Sequence, residues 1–358
     1  MLDNRAAWRS GQPRVSPQSQ PSHQALFSYL IETGLAEAAS LRLGGKVVDL
    51  SRCHGVWLVT PRGGQRLIVK QARPRSGDLH ANLGAELVVY QLAVRCPELR
   101  AVMPRCLWQD SRRQMLVLEA IEPGESLNAH SYRLGPAKHF AHRLGVAVAG
   151  WHRATHGRMW GYLSPATPWI LGIFSPGCWR PRVSERLLTT GSLRHELARH
   201  FARLSAGLRP SCLVHGDLKW DNCLVNGKAD AVNAWAGGLK VIDWEMASIG
   251  DPAWDVAGIV QDYIVYQAAQ GAQASGTSAA AAASLHVFLE AYVEAARVPD
   301  SRAFRFWVIR LAGARLVQTA FEQATAWADE RMPKMLIERA RAILRDPAEF
   351  LRENGGFS

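Results

Sequence analysis

Val214-His215-Gly216-Asp217-Leu218-Lys219-Trp220-Asp221-Asn222-Cys223-Leu224-Val225 reads as the end of an apolar strand, a tight polar loop and a second short apolar strand from Cys223 to Val225. The loop carries His-x-Asp-x-x-x-x-Asn. Phosphoryl transfer calls for that pair: a carboxylate, Asp217, to accept or position the proton of an attacking hydroxyl, and an amide, Asn222, to hold a magnesium ion. A third apolar run, Leu239-Lys240-Val241-Ile242, closes on Asp243-Trp244-Glu245. An Asp at the end of such a strand can hold the metal that bridges the phosphates of a nucleotide. Asp and Asn are also ordinary turn residues. The ordered spacing of three groups on hairpin-like strands is what lifts this stretch above a plain turn.

Around that stretch, composition narrows the class. A chain of 358 residues, 48% of them hydrophobic, is long enough for two lobes and a sizeable core. No apolar run approaches the roughly eighteen residues of a membrane span, and the long helical pattern Arg302–Phe321 is interrupted by Arg305, Arg310 and Arg315. No secretory signal opens the chain. Residues 1–22, rich in Ser, Pro, Gln and Arg, read as a disordered tail. Cys53, Cys96, Cys106, Cys178, Cys212 and Cys223 are scattered without a C-x-x-C pair, which excludes a zinc or redox motif and fits reduced thiols in a cytoplasmic protein. The net charge of +11 is spread along the chain with no basic run interleaved with aromatics. It therefore suits a nucleoside triphosphate or an acidic partner better than a nucleic acid.

Upstream, three strand patterns follow one another: Val47–Leu50, Val56–Thr60 and Arg66–Lys70, an antiparallel meander by their alternation and β-branched content. Backbone N–H groups of the intervening loop, Ser51 to Gly55, could cover phosphates. Lys70 ends its strand where a lysine reaches the α- and β-phosphates, and Asp78 can cap a helix over about 79–95 that carries Glu86. Farther on, Ala137–His152 has the apolar spacing of a core helix, and its His142, His152 and nearby His156 read as structural rather than metal-binding. Residues 157–180 are loop-rich, with Trp160, Tyr162, Trp169, Phe174 and Trp179 either lining a substrate surface or covering the lobe. A helix is expected at about 192–207. Residues 268–284 read as a low-complexity mobile insert, followed by helices at about 285–296, 302–326 and 333–345.

The set His215-Gly216-Asp217 through Asn222, Ile242-Asp243-Trp244-Glu245, Gly250-Asp251-Pro252 and Asp255 resembles the aminoglycoside phosphotransferase and choline kinase family, relatives of the protein kinases. The resemblance covers about residues 25–350 and is strongest between 213 and 260. It implies an α+β, protein-kinase-like two-lobe fold: an N-lobe over 23–121 with an antiparallel sheet plus helix, and a larger, mainly helical C-lobe over 122–358. It also implies ATP and Mg2+, with Lys70 paired to Glu86 on the phosphates, Ser51 and Gly55 in the phosphate loop, and the backbone of Glu119 to Ile121 on the adenine edge. Asn222 and Asp243 would hold the metal and Asp217 would serve the acceptor hydroxyl. His215 and Asp255 would orient the loop, and Asp221 would be a turn residue.

The acceptor stays open between two classes. One is a small molecule: an aminoglycoside, a sugar, choline or a related amino alcohol. The basic excess does not favour the carboxylate-lined pocket an aminoglycoside needs. The other is a peptide, because Asp217-Leu218-Lys219 resembles the Ser/Thr protein kinase loop, in which the lysine meets the γ-phosphate. Some phosphotransferases of this kind are thought to phosphorylate Ser or Thr of a lanthipeptide-like or thioamide precursor before elimination, which would bring a peptide-modifying partner enzyme. A third possibility is a pseudokinase that binds nucleotide without chemistry. The presence of Lys70, Asp217, Asn222 and Asp243 together argues against it.

Overall fold

The computed structural model describes residues 22–51, 54–72, 83–157, 161, 163–175, 187–188, 191–225, 238–270, 275–326 and 331–354. They form two compact units. One holds the N-terminal part up to Glu125 together with Leu224–Ala247, and the other holds Ser126–Cys223 with Ser248 onward. Leu224–Ala247 thus groups with the N-terminal unit.

The N-terminal unit is built on a five-stranded antiparallel sheet in the order β1-β2-β3-β5-β4, from β1 (Lys46–Asp49), β2 (Gly55–Thr60), β3 (Leu67–Gln71), β4 (Cys106–Asp110) and β5 (Met115–Glu119). The meander over the first three strands is as expected; β4 has weaker alternation and was not legible. Alternation along each strand sends Trp57, Val59, Leu67, Val69, Met115 and Val117 to one face. There they bury against Leu26, Tyr29 and Leu30 of α1 (His23–Glu32) and Leu41 of α2 (Ala38–Arg42). Ser22, whose hydroxyl accepts from Ala25 N at 3.1 Å, caps α1. Lys70 is out of phase with Leu67 and Val69, so the pleat turns it to the opposite face. Helix α3 (Gly84–Ala93) brings Glu86 to that lysine. Asp78, the expected cap of this helix, lies outside the described residues, as do Cys53 and Cys178. Helix α4 (Pro97–Val102) ends where Lys240 donates to the Ala101 and Met103 carbonyls, at 2.9 and 3.0 Å.

The second unit is helical: α5 (Leu127–Leu134), α6 (Lys138–Thr155), α7 (Gly191–Gly207), α8 (Pro252–Gln270), α9 (Ser275–Ala296), α10 (Ser301–Ala326), α11 (Arg331–Arg345) and α12 (Pro347–Glu353). Its core is the packing of α6 on α9 and of α10 on α8 and α11, with Phe140, Leu144, Val148 and Trp151 of α6 fully withdrawn from solvent. Cys212–Val214 pairs antiparallel with Ser248–Gly250, Val214 opposite Ser248, and so fixes the start of the polar loop at His215. Of residues 268–284, expected as a mobile insert, those on both sides of 271–274 are helical. Helix α8 runs through Gln270 and α9 begins at Ser275, with only 271–274 outside the described residues. The Ala run that looked like low complexity is the strongest helix-forming composition available. In the 163–175 stretch, a 3-10 turn at Trp169–Gly172 buries Ile170, Leu171 and Ile173, and Phe174 meets Phe201 at 5.5 Å between ring centroids. These described residues cover the helical core. Trp160, Tyr162 and Trp179 lie outside the description.

Among the described residues no helix is long and apolar enough to cross a membrane. Of the six cysteines, Cys96, Cys106, Cys212 and Cys223 are free thiols.

Candidate active site

In the N-terminal unit the site residues converge on one ammonium group. Lys70 Nζ lies 2.9 and 3.0 Å from the two carboxylate oxygens of Glu86 and 2.9 Å from Oδ1 of Asp243. Glu86 is fully buried, and Lys70 is 7% exposed. Burial alone would lower the lysine's pKa, but the charges of Glu86 and Asp243 outweigh it and raise it, so Lys70 is a fixed cation. Asp243 reaches it from a left-handed backbone, φ 71°, a conformation Asp tolerates better than most residues. Next along the chain, Glu245 pairs with the buried His54 at 2.9 Å, which ties the end of the β1–β2 loop to the segment after Asp243.

The other residues expected on the nucleotide occupy more modest positions. Ser51 Oγ accepts from Val56 N at 2.9 Å, closing the β1–β2 turn, and residues 52–53 lie outside the description. At Gly55 a Cβ would strike the Trp57 ring, so packing alone already requires a glycine there. The N–H of Glu119 is taken by the Arg105 carbonyl at 3.0 Å and that of Ala120 by Arg66 at 3.1 Å. Of the stretch expected to read the adenine edge, these two N–H groups are thus already engaged.

In the helical unit the polar loop is gripped from several sides. Asp255 accepts from the N–H groups of His215, at 2.7 Å, and Gly216, at 3.0 Å, while Trp254 Nε1 donates to the Gly216 carbonyl at 2.9 Å. Gly216 has φ 82°, open to glycine and costly for other residues. Asp255 also meets His152 Nε2 at 3.1 Å, and His152 Nδ1 lies 3.0 Å from the Tyr292 hydroxyl, so this histidine is a packed hydrogen-bonding residue. Farther along, the Trp220 N–H donates to Asp262, and Asn128 Nδ2 donates to Asp221 at 3.0 Å. Asn222 Nδ2 donates to the Asp217 carbonyl at 2.9 Å, which turns its amide oxygen the other way.

The carboxylate of Asp217 is held at both oxygens. Lys219 Nζ lies 2.6 Å from Oδ2, and both Nη atoms of Arg315 lie 3.4 Å from Oδ1. Burial pushes its pKa up, but the two cations more than offset this and keep it below the ordinary carboxylate value. Asp217 is therefore ionised and oriented. Three contributors here went unread in the sequence: Asn128, Asp262 and Arg315. Trp254, Asp255, Gly258 and Asp262 recur at helical spacing on one face of α8, and that periodicity was the available signal. Nothing in the sequence pointed from Arg315 to Asp217.

The model of the phosphotransferase enzyme family (APH) fits residues 54–307. The chain belongs to that family. No curated protein sequence matches the phosphotransferase. Solved structures do match in fold. LicA, a choline kinase from Streptococcus pneumoniae, in complex with AMP is 15% identical with a TM-score of 0.56, over 91% of this chain and 99% of that one. An ethanolamine kinase of Plasmodium vivax is 11% identical with a TM-score of 0.58, over 95% and 92%. A putative fructosamine-3-kinase from Thermobifida fusca is 20% identical with a TM-score of 0.52, over 84% and 93%. At these identities the shared property is the protein-kinase-like fold.

Oxygen donors of the kind magnesium takes are present in each unit: the amide of Asn222 in the helical one and the carboxylate of Asp243 in the N-terminal one. Asp243 engages Lys70 through Oδ1, and its side chain is 41% exposed. Magnesium takes one or two such protein oxygens and fills its remaining positions with water and phosphate.

Proposed function

We propose that the phosphotransferase moves the γ-phosphoryl group of ATP to a hydroxyl of a small molecule. The observation that carries this is the Lys70 ammonium, buried and fixed by Glu86 and Asp243. A lysine so held is a fixed cation, which suits the α- and β-phosphates. Asp243 and Asn222 would hold magnesium, which neutralises charge on the phosphates when bound.

In the transfer, the acceptor oxygen forms a bond to the γ-phosphorus as the bond from that phosphorus to the β–γ bridging oxygen breaks, and ADP leaves. The hydroxyl proton passes to Asp217 and then to solvent. A strongly ionised Asp217 is a weak base, which suits a loose transition state in which positioning and charge neutralisation do most of the work. Lys219, on Oδ2 of Asp217, is placed to meet charge developing on the transferred group.

Support for a small acceptor comes from the named activities of the fold's neighbours, on choline, ethanolamine and fructosamine compounds. The test is mass spectrometry of the enzyme with ATP, magnesium and a panel of choline, ethanolamine, amino sugars, macrolides and Ser/Thr-rich peptides. A phosphate added to one of the small molecules, and lost with Asp217→Asn, is the expected result. Phosphate on a peptide alone would overturn the acceptor class while leaving the transfer chemistry intact. Nucleotide binding with no turnover on any acceptor, water included, would overturn both.

A further inference from the structure

Arg315 sits in the middle of α10, 98 residues beyond Asp217, and is 3% exposed. Its guanidinium faces four groups at once. Both Nη atoms approach Oδ1 of Asp217 at 3.4 Å; Nη2 donates to the Leu218 carbonyl at 3.1 Å; Nη1 donates to Gln318 Oε1 at 3.2 Å; and Cζ lies 5.3 Å over the Trp254 ring. Gly258 of α8 makes room for this arrangement, because a Cβ there would collide with the Leu218 carbonyl and come within 3.2 Å of Arg315 Nη2. The remaining donor, Nε, is buried without a partner. An arginine buried with an unmatched donor is a poor device for stability alone. Its fork fits a task that needs two directions fixed, here a carboxylate oxygen and a backbone carbonyl of the same loop.

We propose that Arg315 is a positioning residue for phosphoryl transfer: it pins Oδ1 of Asp217 and the Leu218 carbonyl, leaving Oδ2, next to Lys219, as the oxygen that meets the acceptor hydroxyl. This rests on the assignment of Asp217 to the acceptor. The rotamer of Asp217 would otherwise be held only from the Lys219 side, by a flexible chain on the same loop. The anchor on α10 ties it to the helical core. The titratable and charged groups around the carboxylate are Lys219, Arg315 and His215, whose Nδ1 accepts from the Asp217 N–H at 3.3 Å, with Glu322 beyond Lys219 and joined to Arg315 through Gln318, whose Nε2 donates to Glu322 Oε1 at 2.9 Å.

The experiment compares wild type, Arg315→Gln, Arg315→Lys and Asp217→Asn in ADP release from ATP and magnesium. Water serves as acceptor first, then whichever compound of the panel above is phosphorylated, and pH is varied throughout. Arg315→Gln is expected to lower kcat about a hundred-fold, the scale of a small misplacement of a reacting group, with KM for ATP unchanged. The acid limb of the kcat profile should move to higher pH, because a cation that keeps Asp217 ionised has gone. Arg315→Lys keeps the charge but not the fork, so its kcat should fall while the acid limb stays. Added guanidinium ion should restore part of the Arg315→Gln loss. Wild-type kcat and an unmoved acid limb in Arg315→Gln would overturn the inference. If Arg315→Gln fails to fold by its melting curve, Arg315→Lys decides, and wild-type kcat there overturns it. Asp217→Asn separates the two levels. Full ADP release in that variant defeats the assignment of Asp217 itself. Loss there combined with wild-type behaviour of the Arg315 variants defeats only the role of Arg315.

Discussion

Lys70 Nζ stands 2.9 Å from Oε1 of Glu86, a strand residue and a helix residue brought together on the face of the sheet opposite the α1–α2 core. Breaking a buried pair by removing one partner typically costs about 3–5 kcal/mol, because the other charge is left unmatched. Asp243 still holds Lys70, so Glu86→Ala should lose about 3 kcal/mol, the lower end of that range, in urea unfolding. The KM for ATP should rise at the same time, as the lysine loses its fixed position.

Asp217→Asn keeps the shape of the loop and removes the charge. ADP release with an acceptor should fall by about 10²–10⁴-fold, the usual worth of a positioned acid–base group. The affinity for a fluorescent ATP analogue should hold, because Asp217 is not among the groups assigned to the phosphates. Equal losses in binding and turnover would contradict that division of labour.

Asp243→Ala removes both a metal oxygen and one partner of Lys70. The magnesium concentration needed for half-maximal nucleotide binding should rise by about tenfold or more, read by calorimetry at fixed ATP, as expected for loss of a carboxylate ligand. Glu86→Ala should leave that magnesium dependence unaltered.

Gly258→Ala adds one methyl where the Leu218 carbonyl oxygen already sits. The loop must shift, since neither the α8 backbone nor the carbonyl can yield freely. Overpacking of this kind costs about 1–3 kcal/mol. Turnover should fall more than a stability loss of that size explains, seen as reduced kcat at a temperature where the variant is still folded.

Asp262 gives a pH dependence with a definite sign. Burial raises its pKa to about 7, only partly offset by the Trp220 N–H it accepts and by the Arg315 and Lys219 charges, while Asp221 adds to the rise. The folded state therefore holds this proton more tightly than the unfolded chain does. Between the ordinary carboxylate range and about pH 7 this group makes stability fall as pH rises. Asp262→Asn retains an oxygen for Trp220 and loses the titration. Its unfolding free energy in urea should flatten across that window and exceed wild type above it, by about 1 kcal/mol after allowing for solvent screening of a half-buried carboxyl. An unchanged slope would show that Asp262 titrates normally.

Local chemistry was what the sequence could carry. The strand–loop–strand of Val214 to Val225, the strand end at Lys70 and the Asp after Leu239–Ile242 are each decided by residues within a few positions of one another, so their spacing reports them directly. The helix expected at about 79–95 from Asp78 as its cap was legible in so far as Gly84–Ala93 is helical and carries Glu86. The Ala-rich stretch before Leu285 misled because composition was taken as disorder, whereas an Ala run is intrinsically helical. Other features depend on groups that approach only when the chain is folded. Arg315 on Asp217, Asp262 under Trp220, His54 on Glu245 and the return of Leu224–Ala247 to the N-terminal unit join residues far apart in sequence. No local pattern encodes such pairs, because each partner's own neighbourhood is satisfied as ordinary helix or loop. The sequence by itself determined which groups are available for phosphoryl transfer. Tertiary packing decided how they are charged and where their oxygens point, since burial and opposing charges act only at distances the fold creates.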